Sequence, residues 1–163
     1  MNWDNERVIQ NMCPSSPTGA STAPTTFIYT RSELEATFLP IGQMLQIDRV
    51  VDISTDRIVC EMDVSKHWVF PLHFPSDPVF PGSLLIEAAG QAVAVLAWHA
   101  GLRGKPRLVK VTARFESCVL PQDETLRFVA TVRQRKRVFL GMVDLFVLER
   151  KVAQIQPMII IIS

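Results

Sequence analysis

Residues 84–98 read LLIEAAGQAVAVLAW, an apolar stretch broken only by Glu87 and Gln91. As a helix it would run for about four turns with no polar side to turn toward water. A helix that is apolar all round must be covered all round, and this restricts the fold more than any other feature of the chain. The stretch falls short of the roughly 20 apolar residues that a membrane span needs, so protein rather than lipid has to supply the cover. The C-terminal MIIII is shorter still and reads as a buried strand.

The rest of the chain offers strands for that purpose. LQIDRVVDI (45–53) and RIVCEMDVS (57–65) flank Ser54-Thr55-Asp56, a hairpin-turn composition. In 107–119, Leu108, Lys110, Thr112, Arg114 and Glu116 alternate with Val109, Val111, Ala113 and Phe115. Further strand-like runs cover 124–138, 140–149 and 152–162. Ahead of the hairpin, SELEATFL reads as a short helix with a capping box from Ser32 to Glu35. Strands kept apart from helices predict an α+β fold with an antiparallel sheet, curled around one long apolar central helix. One sheet covers only part of a helix, and a second copy of the chain would cover more, so a homodimer is expected. Residues 12–26, MCPSSPTGASTAPTT, have linker composition. The chain therefore divides into a flexible extension, 1–26, and one domain, 27–163.

With a net charge of +1, the chain gives no whole-molecule case for nucleic acid or a membrane surface. Cys13, Cys60 and Cys118 are widely spaced and form no CxxC pair, which points away from a zinc site or a disulfide framework. The charged opening MNWDNERVIQ does not read as a secretory signal. A reduced, cytoplasmic protein is the expectation, with Cys60 and Cys118 packed as small apolar groups.

Glu87 is the residue this composition least explains. Desolvation favours the neutral form of a carboxyl group, and a neutral acid in an apolar setting is a candidate general acid. Gln91 lies four residues on, within reach on the same helix face. Just upstream, His73 sits in a loop stiffened by Pro71, Pro75, Pro78 and Pro81, which makes it a candidate base. Gly82 opens the helix, where unpaired amides attract negative charge. Taken singly, each residue also has a plain structural reading: an exposed loop histidine, or a glutamate paired with an arginine elsewhere.

HFPSDPVFPGSLLIEAAGQ, from His73 to Gln91, resembles the active-site segment of the β-hydroxyacyl carrier-protein dehydratases, the FabZ and FabA enzymes of the hot-dog fold. IDRVVDI and ARFESCVLPQDETL are similar to two further segments of that family, so the resemblance spans roughly residues 38–155. It implies that His73 removes the C2 proton of a 3-hydroxyacyl thioester and that Glu87 protonates the departing hydroxyl. By the same resemblance the Gly82 amide holds the thioester oxygen, the Val79 carbonyl orients His73, and Gln91 orients Glu87. Phe74 and Phe80 become tunnel candidates. Two chains would share each site, as a homodimer or a trimer of dimers, with an acyl carrier protein as partner and no cofactor. The resemblance implies a place in fatty-acid or specialised, polyketide-like synthesis; Ser76, Phe80 and Gln122 depart from the family pattern, as does the LPIGQMLQIDRV opening, and these departures favour a specialised pathway and leave the substrate open. A hot-dog thioesterase and a non-catalytic acyl-binding or scaffolding relative stay open as alternatives.

The run RQRKR carries Arg133, Arg135, Lys136 and Arg137. It reads either as a solvated hairpin end or as a docking patch for an acidic carrier. His67 and His99 make no metal-ligand spacing with His73, and both read as structural.

Overall fold

The structure, a computed structural model, describes residues 27–163; the expected extension, 1–26, lies outside the described residues. Among the described residues seven strands form one antiparallel sheet in the order β1-β2-β3-β5-β6-β7-β4. They are β1 (Tyr29–Thr30), β2 (Arg49–Ile53), β3 (Arg57–Asp63), β4 (Lys105–Phe115), β5 (Thr125–Arg135), β6 (Val138–Val147) and β7 (Arg150–Ile162). A short helix, α1 (Arg31–Glu35), follows β1, and the long helix, α2 (Gly82–His99), joins β3 to β4.

The apolar stretch is helical, and the sheet covers it as its composition demands. Residues 91–97 of α2 are buried without exception, and α2 packs on β3, β5, β6, β7 and β4. At β6 the approach is close enough that a side chain in place of Gly141 would press into Val93 of α2. Inward-facing Phe128, Phe139, Leu145, Ile155 and Ile161 are fully buried against the helix layer, following the strand period of two. The sheet does not close into a barrel. β1 ends one edge and β4 the other.

Two local readings are corrected. The capping box of α1 runs from Thr30 to Glu33, two residues before the Ser32–Glu35 pair: Glu33 Oε2 accepts from the Thr30 amide and hydroxyl, both at 2.7 Å. α2 starts at Gly82 as expected, with Pro81 as its N-cap. Cys60 is a buried free thiol, which burial pushes far above its ordinary pKa, whereas Cys118 is disulfide-bonded. The reading of every cysteine as reduced does not hold.

Two ionic clusters tie the elements together. Arg49 on β2 bonds Glu61 on β3, which also accepts from Arg127 on β5. Burial disfavours the Glu61 charge, but the two guanidinium groups outweigh it and hold its pKa below the usual carboxylate value. At the other end Arg150 Nη2 donates to both carboxylate oxygens of the buried Asp123, at 3.0 and 2.9 Å, and Nη1 donates to Ser117 Oγ and the Cys118 carbonyl. That pair fixes the crossover from β4 to β5.

Candidate active site

The segment before α2 forms a tight, self-bonded loop. Phe74 and Asp77 exchange backbone bonds at 3.1 and 3.0 Å. His73 and Val79 clamp each other: the Val79 amide donates to the His73 carbonyl at 2.8 Å, and His73 Nδ1 donates to the Val79 carbonyl at 2.9 Å. A carbonyl can only accept, so Nδ1 carries a proton, and in the neutral ring the lone pair is on Nε2. The prolines limit the other conformations of this loop. Phe74 stacks on the imidazole with ring centres 4.0 Å apart and is itself exposed. Phe80 is buried, packs on His67 and Phe70, and anchors the loop through a 2.9 Å bond from its amide to the Val119 carbonyl.

Pro81 offers no side-chain cap to α2. The Gly82 and Ser83 amides have no partner among the described residues, so the positive end of the helix dipole is open. The Phe115 ring lies against Gly82, so close that a Cβ there would sit 2.8 Å from Cζ. Glycine is what lets the strand end and helix start meet.

One turn into the helix, Glu87 lines a cavity of about 320 Å³ together with Phe38, Leu39, Ile86, Leu108 and Ile159. Gln91 Nε2 donates to Glu87 Oε1 at 2.9 Å and to the Met44 carbonyl at 2.7 Å, while Gln91 Oε1 accepts from the Gln46 amide at 2.8 Å. Flipping the amide would turn its oxygen toward two acceptors, so its orientation is set by the network. Glu87 Oε2 has no partner among the described residues.

Glu87 and Gln91 are therefore brought together, as are His73 and Val79. Within one chain His73 does not line the cavity that holds Glu87, and neither do Phe74 and Phe80. Arg133, Arg135 and Lys136 lie exposed at the β5–β6 hairpin with no carboxylate partner among the described residues. Arg137 is engaged in the fold, donating to the Ile161 and Arg103 carbonyls at 2.6 and 3.1 Å. No group of three or more His, Cys, Asp or Glu residues suited to a metal ion occurs among the described residues. No described helix is long and apolar enough to cross a membrane.

Sequence reasoning missed the segment that holds Gln91. Met44 acts through its backbone carbonyl and Gln46 through its backbone amide, and residue identity carries no signal for either.

A curled antiparallel sheet wrapped on one long helix defines a hot-dog fold, and here a histidine loop leads into the helix with an acid on its second turn. The chain belongs to the FabA-like domain family, whose sequence model matches residues 39–156. Among solved structures it is similar to the dehydratase heterocomplex ApeI:P from Xenorhabdus doucetiae, at 18% identity and a TM-score of 0.67 over 78% of this chain and 90% of that one. A mutant of the thioesterase PA1618 from Pseudomonas aeruginosa aligns at 12% identity and a TM-score of 0.60, over 83% and 95% of the two chains. Cj0977, a sigma28-regulated virulence protein from Campylobacter jejuni, aligns at 10% and 0.59, over 82% and 89%. At these identities the likeness is one of fold, and the fold alone does not choose among their activities.

Proposed function

We propose that the protein dehydrates a 3-hydroxyacyl thioester on an acyl carrier protein to the trans-2-enoyl thioester, in fatty-acid or polyketide-like synthesis, and that two copies build each site. The observation that carries this reading is the pair of fixed groups: an imidazole with a free Nε2, and a carboxyl group whose Oε1 is taken by Gln91. With Oε1 accepting from Gln91, Oε2 is the oxygen from which this carboxyl group would donate a proton.

In the proposed reaction His73 Nε2 takes the C2 proton. Negative charge moves onto the thioester oxygen, where the Gly82 amide and the helix dipole stabilise it. The C3–O bond then breaks as Glu87 gives its proton to the hydroxyl. Water leaves and the C2–C3 double bond forms. A proton passing from His73 back to Glu87 resets the site.

Two features support a second copy. The outer edge of β4 has no strand beside it, and Val109 on it is 60% exposed. The α2 stripe of Ser83, Ile86, Glu87 and Gly90 is incompletely covered. A partner seated there would bring its own histidine loop toward this cavity. The exposed cations Arg133, Arg135 and Lys136 support docking of an acidic carrier.

The test is incubation with 3-hydroxyacyl and 2-enoyl carrier thioesters, with products resolved by mass. Interconversion by loss or gain of water is expected. His73→Ala and Glu87→Gln should each lower the rate by about 10²–10⁴-fold without unfolding the protein. Release of free acid and thiol would establish a thioesterase instead, and binding without turnover a scaffold. Raised salt should weaken carrier binding; salt-insensitive binding would remove the hairpin cations from the reading.

A further inference from the structure

We infer that Arg31, on α1, is a positioning residue for Glu87, acting through the 42–46 segment and Gln91. The inference rests on the proposed role of Glu87 as the acid. The Glu87 carboxyl group has one protein partner among the described residues, Gln91. Gln91 in turn takes its orientation from the Met44 carbonyl and the Gln46 amide. The accuracy with which the acid is aimed is thus set by where residues 44 and 46 lie.

Leu45 and Gln46 are buried, and Gln46 Nε2 donates to the Gln43 carbonyl at 2.7 Å, but residues 41–44 are exposed. The regular structure of the segment is one 3-10 turn, Gly42–Met44, closed by a 3.1 Å bond from the Leu45 amide to the Gly42 carbonyl. Ile41 and Met44 are 69% and 49% exposed, so apolar packing contributes little there. Arg31 supplies the grip. Its Nη2 donates to the Gly42 and Leu45 carbonyls at 2.7 and 2.9 Å, on either side of Met44. Its Nη1 donates to Asp48 Oδ1 at 2.6 Å, and Asp48 is itself anchored by the Asp63 amide at 2.8 Å. Glu35, one turn along α1, accepts from the Gly42 amide at 3.3 Å. The segment is therefore held from outside by one planar guanidinium and read from inside by one amide side chain. A lysine, with a single charged nitrogen on a flexible stem, reproduces only part of that fork.

Arg31 lies on the surface, 38% exposed, where ion pairs add little to stability. A merely structural role and a positioning role thus predict different things. Arg31→Met should leave the melting temperature nearly unchanged and lower kcat roughly tenfold, as small misplacements of reacting groups do, with KM little altered. Arg31→Lys should recover part of the loss. In a Gln91→Ala background, where the relay is already cut, Arg31→Met should cost nothing further.

A folded Arg31→Met protein with unchanged kcat would overturn the inference. So would an equal loss with and without Gln91, since it would place the effect of Arg31 elsewhere. If Arg31→Met does not fold, Arg31→Lys carries the same comparison across the two backgrounds. Glu87→Gln, measured alongside, separates the two levels: a retained rate there removes the acid and the inference with it, whereas additivity in the cycle removes only the role of Arg31.

Discussion

His67 is a residue whose environment, rather than its type, decides what it does. It lies between Trp68 and Phe80, with ring centres 5.4 and 4.8 Å away, and its Nδ1 accepts from the Val69 amide. Burial lowers its pKa from the ordinary 6.5; Asp48 opposes the shift and Arg31 adds to it. The unfolded chain therefore binds a proton that the folded one refuses. The associated stability is intact above about pH 6.5 and is lost as the pH falls from there toward the lowered folded value. The melting temperature should decline on acidification through pH 6.5, and His67→Gln should flatten that part of the curve in melts across the range. An unchanged slope would show that the imidazole is not the group responsible. At this scale the sequence singles out candidates where the type of a side chain does not suit its neighbours. His73, Glu87 and Gln91 declare themselves by being out of place among prolines, alanines and valines. Arg31 does not, because its partners are backbone carbonyls, and any residue type presents those.

The elements were legible where burial imposes a period. The long helix and all the strands from β2 onward lie where hydrophobic patterning put them, with ends shifted by a few residues. Ends are set by local bonds rather than by burial: α1 is capped at Thr30 because Glu33 reaches back to it, a contest that Ser32 and Glu35 lose. The disulfide at Cys118 was illegible for another reason, since spacing in the chain says little about distance in space. Equally hidden was the pairing of Asp123 with Arg150, which joins the β4–β5 crossover to the start of β7. The Asp123 carboxylate is fully buried, and removing it strands a guanidinium that is only 21% exposed. Asp123→Ala should cost about 3–5 kcal/mol, measured by urea unfolding. It should also slow turnover, because the same crossover presents the Val119 carbonyl that holds Phe80 and the histidine loop. A loss below about 1 kcal/mol would mean that the pair behaves as a surface contact.

For the whole molecule, patterning could show that one sheet leaves the helix incompletely covered, but not which strand would stand at the edge. β4 takes that place after α2 crosses the sheet, with Leu108, Val109 and Phe115 at 49%, 60% and 38% exposure. An open, apolar strand edge invites pairing with another chain. Light scattering should report a dimer or a multiple of it. Val109→Lys should yield a folded monomer that has lost turnover. Full activity in a monomer would show that each chain completes its own site.

The order of the strands also bears on how the chain comes into being. β3 finds its second neighbour only in β5, so the hairpin of β2 and β3 leaves the ribosome with one flank bare. It stays so until Thr125 has been made and the helix and β4 have swung past it. Pairings between such distant segments form late and favour slow folding. In a cell that interval is when the nascent polypeptide is most exposed to aggregation and to chaperones.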